Sequence, residues 1–192
     1  MIHPGPGDGL LVVDVQNDFL PGGALAVAGG DEVVPVLNRA LRVFTNAGLS
    51  IFATRDWHPP DHCSFHERGG PWPPHCVRGT WGAAFSVDLH LPPSADVISK
   101  ATSRDEEAYS AFHGTDLAMR LRAAGVRRVF LGGLTTDYCV RTSVADARRD
   151  GFAVVVLVDA IRAIDVHPGD GNRAIAEMRA AGAVLGPTDS LA

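Results

Sequence analysis

The sequence predicts an α/β domain with a doubly wound parallel sheet, and three observations carry that expectation. Short apolar runs bounded by Gly and Pro recur along the chain, without the polar alternation of a half-exposed strand. Stretches with helical spacing lie between them, the rhythm of right-handed β-α-β crossovers. Several runs end on a polar or reactive residue, as strands do at the ligand edge of such sheets.

The strands are expected at residues 10–13, 49–53, 97–98, 129–131, 153–158 and 183–185. Val33, Leu37, Ala40, Leu41 and Phe44 form the first helical stripe, with Asp31 as its N-cap and Gly48 as its stop. Leu117, Leu121 and Ala124 form the second, opened by Thr115 and ended by Gly125. Val140, Val144 and Ala147 form the third, ended by Gly151, and Ile175, Met178 and Gly182 mark the last. Residues 56–93 break the rhythm: they are rich in proline and show no helical stripe. A loop that long inside a compact domain is usually functional.

Composition narrows the function classes. The 192 residues carry a net charge of −5, which argues against a nucleic-acid or anionic-membrane partner. Hydrophobic residues make up 46%, enough for the core of one domain spanning 1–192, with its centre at about 8–185. Three cysteines fit a reducing compartment, and no basic n-region followed by an apolar stretch opens the chain, so a cytoplasmic protein is expected. Of 17 basic residues, 16 are arginine; the lysine is Lys100. A lysine that survives such a bias marks a place where arginine will not serve.

Asp14, Asp56 and Lys100 end the first three strands, and Cys139 follows the fourth at the start of a helix. Each alone reads as a first loop residue; together they read as a site. The helix start favours a Cys139 thiolate and offers N–H groups to an oxyanion. Gly132 and Gly133 allow close backbone approach. Lys100 would lower the thiol pKa and Asp14 would accept its proton, giving nucleophile, base and cation for acyl transfer. Asp137 nearby reads best as a helix N-cap. A second constellation lies in the long loop. Asp56 and His58, two apart, point to one side of an extended segment, and His62 and His75 follow. A carboxylate with two or three imidazoles suits Zn²⁺, Fe²⁺ or Mn²⁺. Cys76 reads either as a further ligand or as a loop filler.

The motifs DVQNDF at 14–19, DWHPPDHCSF at 56–65, WPPHCVRGTWGA at 72–83, Lys100, AYSAF at 108–112 and GGLTTDYCV at 132–140 together resemble the nicotinamidases (pyrazinamidases), a branch of the isochorismatase-like cysteine hydrolases. The resemblance runs over about residues 8–185. It implies a six-stranded parallel sheet flanked by helices, a Rossmann-like three-layer domain. It also implies hydrolysis of nicotinamide, and of pyrazinamide, to the acid and ammonia through a cysteine thioester, a step of NAD salvage. Asp14, Lys100 and Cys139 match the catalytic triad of that family. Asp56, His58 and His75 match its metal ligands, with His62 a fourth in some members; Zn²⁺ is the first choice of ion. Phe19 and Trp72 match residues that sandwich the pyridine ring. The Leu134–Thr135 bond matches a cis peptide, and the N–H groups of Thr135 and Cys139 match the oxyanion hole. A homo-oligomer is compatible with the family. Two departures stand out: Thr135 where alanine is frequent, and Ala101 where glycine is frequent. Two other readings fit parts of the pattern: a metal-free sibling acting on a carbamoyl or ureido compound, and a non-catalytic module in which the histidine loop is a structural metal clip.

Overall fold

A computed structural model describes residues 3–191. Six strands form one parallel sheet: β1 Asp8–Val13, β2 Ser50–Asp56, β3 Asp96–Lys100, β4 Arg128–Leu134, β5 Ala153–Arg162 and β6 Val184–Gly186. Their order is β3-β2-β1-β4-β5-β6, so the chain reverses direction across the sheet between β1 and β4. Among the described residues four α-helices connect them: α1 Val33–Asn46, α2 Leu117–Ala123, α3 Arg141–Arg149 and α4 Asp170–Ala180.

The apolar runs read as two-faced because they are. In β1, Leu10 and Val12 pack into the core layer that holds Leu37, Leu41 and Phe44 of α1, while Leu11 and Val13 pack with Leu117, Leu121, Val144 and Met178 of the other three helices. A strand with period-2 geometry that is covered on both sides must be apolar throughout. Helix α1 therefore covers one face and α2–α4 the other, as right-handed crossovers running in opposite directions from the switch point require.

Several local expectations are corrected by tertiary partners. Asp31 does not cap α1; it lies in a 3₁₀ turn, Gly30–Glu32, that leads directly into the helix. Thr115 does open α2 as expected, although it sits one residue outside the N-cap, Asp116: its hydroxyl accepts the Leu117 N–H at 3.3 Å and is donated to the Ala111 carbonyl. Strand β5 runs on past residue 158 to Arg162, because a register shift opposite Gly133 lets Ile161 and Arg162 resume pairing with β4. Gly133 itself is needed there: its φ is +131°, and a Cβ would stand 2.0 Å from the Val13 carbonyl oxygen. The close approach expected of this glycine is thus made to β1, and it draws β1 and β4 together at the switch point.

Residues 57–93 hold a 3₁₀ turn, His66–Arg68, and isolated bridges at His58–Val77, Phe65–Trp72 and Gln16–Phe85. The long loop is therefore stitched to itself and to the segment after β1, over the carboxyl edge of the sheet. No helix among the described residues is long and apolar enough to cross a membrane.

Candidate active site

The carboxyl ends of β1, β2, β3 and β4 deliver Asp14, Asp56, Lys100 and Cys139 to one buried point. Lys100 is 1% exposed, and four groups converge on its ammonium. Asp56 Oδ1 lies at 2.5 Å, Asp14 Oδ2 at 3.0 Å, the Ala108 carbonyl at 3.2 Å and Cys139 Sγ at 3.5 Å. Burial alone would lower the Lys100 pKa, but the two carboxylates outweigh it and hold the group well above the ordinary lysine range. Lys100 is a permanent cation in this setting.

Asp14 is fully buried, and that burial raises its carboxyl to about 6 despite the nearby ammonium. The Thr54 hydroxyl donates to Oδ1 at 2.7 Å, which orients the group and leaves Oδ2 without a well-aligned donor on the Lys100 and Cys139 side. Burial and the Asp14 and Asp56 charges push the Cys139 thiol well above its usual pKa, against the pull of Lys100. At rest, then, a neutral thiol faces a carboxylate poised near neutrality. Cys139 does not begin a regular α-helix. It sits in a single wide turn, Thr136–Val140, of π type, which leads into α3; such turns recur at functional sites. The Leu134–Thr135 peptide just before it is cis.

Asp137 is not an N-cap. Its carboxylate accepts the backbone N–H groups of Ile164 (3.1 Å) and Asp165 (2.9 Å) and so ties the segment after β5 to the nucleophile turn. That tie brings Ile164 to the wall of the cavity beside Cys139.

Beside the triad, Asp56, His58 and His75 each offer a ligand atom within 4.8 Å of the others, and all three are buried. Their local chemistry fits a divalent cation. His58 Nδ1 lies 3.2 Å from the Ala101 carbonyl and His75 Nδ1 lies 2.8 Å from the Pro73 carbonyl. Both bonds require Nδ1–H, so Nε2 carries the lone pair in each ring, the orientation typical of metal-binding histidines. His58 Nε2 is buried with no hydrogen-bond partner, an orphan that a cation would satisfy. Burial holds the His58 pKa down to about 4, so the ring is neutral and able to ligate. Burial would raise the Asp56 carboxyl, but Lys100, His58 and His75 keep it below the ordinary range. His62 is engaged elsewhere: Nδ1 pairs with Ser64 Oγ at 2.7 Å and Nε2 with the Glu106 carbonyl at 3.1 Å. It stacks near His58, with ring centroids 4.2 Å apart, as a packing partner. Cys76 is also not in the ligand cluster; it is a buried filler whose N–H is donated to Asp18.

A narrow cavity opens onto Cys139 and is lined by Phe19, Trp72, Asp56, His75 and Thr135, with Leu25, Tyr109, Tyr138 and Ile164 completing it. Phe19 and Trp72 are thus both at its wall. The Trp72 indole N–H is donated to the Tyr109 hydroxyl at 3.0 Å, and Tyr138 packs edge-on against Trp72. The two tyrosines and the two aliphatic residues were not singled out from the sequence. Tyr109 and Tyr138 do lie inside motifs, each one residue from another site group, Ala108 and Cys139.

The residues between Asp14 and Phe19 were also given no role, and they prove to be the frame of the site. Gln16 is fully buried; its amide donates to the Asp56 and Ala83 carbonyls and accepts the Asp56 N–H at 2.7 Å. Asn17 donates to the Trp81 carbonyl at 2.8 Å. Asp18 accepts the N–H groups of Cys76 (2.7 Å) and Ala24 (3.0 Å). One short segment after β1 therefore holds both arms of the 56–76 loop in register with Asp14, Lys100 and Cys139.

With this geometry in view, comparisons with known proteins are specific. The model of the isochorismatase domain matches residues 8–190. The chain is 38% identical to the nicotinamidase of Escherichia coli over 94% of both chains. It is 42% identical to the nicotinamidase/pyrazinamidase of Mycobacterium tuberculosis over 78% of this chain and 83% of that one. Among solved structures it is similar to the pyrazinamidase of Pyrococcus horikoshii in complex with zinc, at 51% identity and a TM-score of 0.91, covering 95% of this chain and 99% of that one. It is also similar to PnC1 of L. infantum in complex with nicotinate, at 39% identity and a TM-score of 0.88, covering 97% and 96%. The six-stranded parallel sheet, the strand-end chemistry and these matches agree: the chain belongs to the isochorismatase family.

Proposed function

We propose that the protein is a metal-dependent amidohydrolase that converts nicotinamide to nicotinate and ammonia, and pyrazinamide to its acid, in NAD salvage in the cytoplasm. One observation carries the reading: the Cys139–Lys100–Asp14 cluster and the Asp56–His58–His75 cluster flank the same aromatic-walled cavity. The ligand cluster favours this substrate over the metal-free ureido and carbamoyl reactions. The relatives and neighbours support it by their printed activities and ligands.

The chemistry follows from the side chains. The flat ring enters between Phe19 and Trp72, which fixes its plane. Asp56, His58 and His75 would hold a divalent ion, Zn²⁺ in first place, which supplies a Lewis acid for the ring nitrogen. Asp14 removes the Cys139 proton as sulfur attacks the amide carbon, and Lys100 stabilises the charge at sulfur. The N–H groups of Thr135 and Cys139 stabilise the oxyanion. Asp14 then protonates the departing ammonia, and water hydrolyses the thioester with Asp14 again as base.

The test is ammonia release from nicotinamide, before and after chelation and with each metal restored. Turnover that is lost on chelation and returns with metal is the expected result. In Cys139→Ala, turnover should vanish with metal content intact; retained turnover would overturn the assignment of the nucleophile.

A further inference from the structure

Three buried side-chain atoms of the site have no hydrogen-bond partner among the described residues: Asp14 Oδ2, His58 Nε2 and Thr135 Oγ1. The first two have work to do, as proton acceptor and as cation ligand. The Thr135 hydroxyl has none in that scheme. The residue is 4% exposed and lines the cavity beside Cys139, while the hydroxyl oxygen itself is sealed from solvent in the free protein. The oxyanion role asks only for the residue's backbone N–H, which alanine supplies equally well. An unpaired buried hydroxyl is a cost to the free protein. This one has no partner among the described residues, and a ring seated against Thr135 would supply one.

We infer that Thr135 Oγ1 is a specificity-determining hydrogen-bond donor, selecting aromatic carboxamides whose ring carries an acceptor atom next to the carboxamide-bearing carbon. The inference rests on the amidase reading above and extends it. In the pose proposed above, the ring nitrogen faces Asp56 and His75 and the carboxamide faces Cys139 and Thr135, all four of which line the cavity. There the proposed chemistry gives the substrate carbonyl to two backbone N–H groups and the amide nitrogen to Asp14. What remains near Thr135 is the ring edge flanking the carboxamide. In nicotinamide both flanking positions are C–H and cannot pair with a hydroxyl. In pyrazinamide the flanking position opposite the metal-facing nitrogen is itself a nitrogen with a free lone pair. A buried hydroxyl gains a partner with the second ring and stays unpaired with the first, which is the way polar sites discriminate between near-isosteres.

The experiment is the ratio of kcat/KM for pyrazinamide to that for nicotinamide, from ammonia release by the metal-loaded enzyme. It is measured for the wild type and for Thr135→Val, Thr135→Ala and Thr135→Ser. All four keep the backbone N–H, and any loss in oxyanion stabilisation falls on both substrates and cancels in the ratio. The expected result is a ratio about fivefold lower in the valine and alanine variants, the worth of one neutral hydrogen bond, and within about twofold of wild type in the serine variant. A ratio unchanged in Thr135→Val and Thr135→Ala, or shifted as far by serine as by valine, overturns the inference and returns Thr135 to a steric role. A wild-type enzyme that releases ammonia from neither amide overturns the amidase reading, and this one with it.

Discussion

Lys100 offers the sharpest test of the electrostatic argument, because removal of its charge and displacement of its charge have different expected sizes. The ammonium lies 3.5 Å from Cys139 Sγ. At an effective dielectric of about 20, a thiolate there gains about 5 kcal/mol from the pair. Lys100→Met removes all of it, and it also raises the Asp14 pKa further, because Lys100 is the main influence that lowers it. The expected loss is more than about 10³-fold in kcat/KM. Lys100→Arg keeps the charge but not its place. Four partners converge on one nitrogen in a slot with no solvent exposure, and a planar fork with two more heavy atoms cannot put its charge at that centre. A charge centre pushed back to about 5 Å keeps about 3 kcal/mol, so the expected loss is about ten- to thirtyfold. Overpacking adds a fall in stability of about 1–3 kcal/mol. Steady-state ammonia release and thermal denaturation measure both quantities. Near-normal activity in Lys100→Arg would make the lysine an accident of an arginine-rich composition. A folded Lys100→Met within tenfold of wild type would refute the role of the cation at sulfur.

Further outcomes follow from the same geometry. Because Asp14 must be ionised to act as base and its pKa is raised to about 6, kcat/KM should fall as pH drops through about 6; a profile flat down to pH 5 would remove Asp14 from that role. The sign for stability is opposite: a carboxyl raised in the folded state stabilises it at low pH, and that contribution is lost as pH rises through about 6. His58→Ala and His75→Ala should each lower the metal bound per chain from about one ion to well below it, read by elemental analysis, while His62→Ala leaves it unchanged, since both His62 nitrogens are engaged elsewhere. Gln16→Leu leaves a buried Asp56 N–H and two carbonyls unpaired, a cost of about 3 kcal/mol or more. Calorimetry should show a melting temperature lower by about 6–12 °C, and a shift under 2 °C would contradict the framing role.

The parts legible in the sequence were those whose physics is local or periodic. Strands β1, β2 and β4 could be read because a sheet covered on both faces demands uninterrupted apolar runs, and the reactive residues because they stand where such runs end. Asp31 and Asp137 misled because an acid before a helix is locally a cap, whereas the fold hands Asp137 two N–H groups from residues 164 and 165. Gln16, Asn17 and Asp18 were opaque for a related reason. Apart from the Ala24 N–H beside Asp18, their partners are backbone groups of Asp56, Cys76, Trp81 and Ala83, 40–67 positions away, and nothing in a polar side chain reveals which distant backbone group it will meet. The available signal was negative: three polar residues in a row between two apolar ones, too many for a strand and without the glycine or proline of a free loop.

Backbone strain shows why such a frame is needed. Outside glycine, the described residues with φ near +50° are Asp14, Cys76, Ala101 and Asp165. Three of them adjoin or belong to the site. Asp14 turns the chain directly after β1, Ala101 directly after β3, and Cys76 directly after His75. A left-handed non-glycine residue costs about 1–3 kcal/mol and persists only where its surroundings over-determine it. Each of these turns is so determined. The Asp14 N–H is donated to the Thr54 carbonyl, the Cys76 N–H to Asp18, and the Ala101 carbonyl accepts the His58 ring. The turn at Ala101 links the two halves of the site: Lys100, one residue before it, faces the thiol, and the Ala101 carbonyl fixes the tautomer of His58, a proposed metal ligand. Glycine at 101 would relax the turn, but it would also loosen that carbonyl. Ala101→Gly is therefore expected to weaken metal binding with little change in melting temperature, since relief of the left-handed strain is offset by the entropy glycine gains in the unfolded chain. Metal titration alongside calorimetry separates the two effects. Unchanged metal affinity in that variant would mean that the alanine is tolerated at this turn and that the His58 orientation does not depend on it.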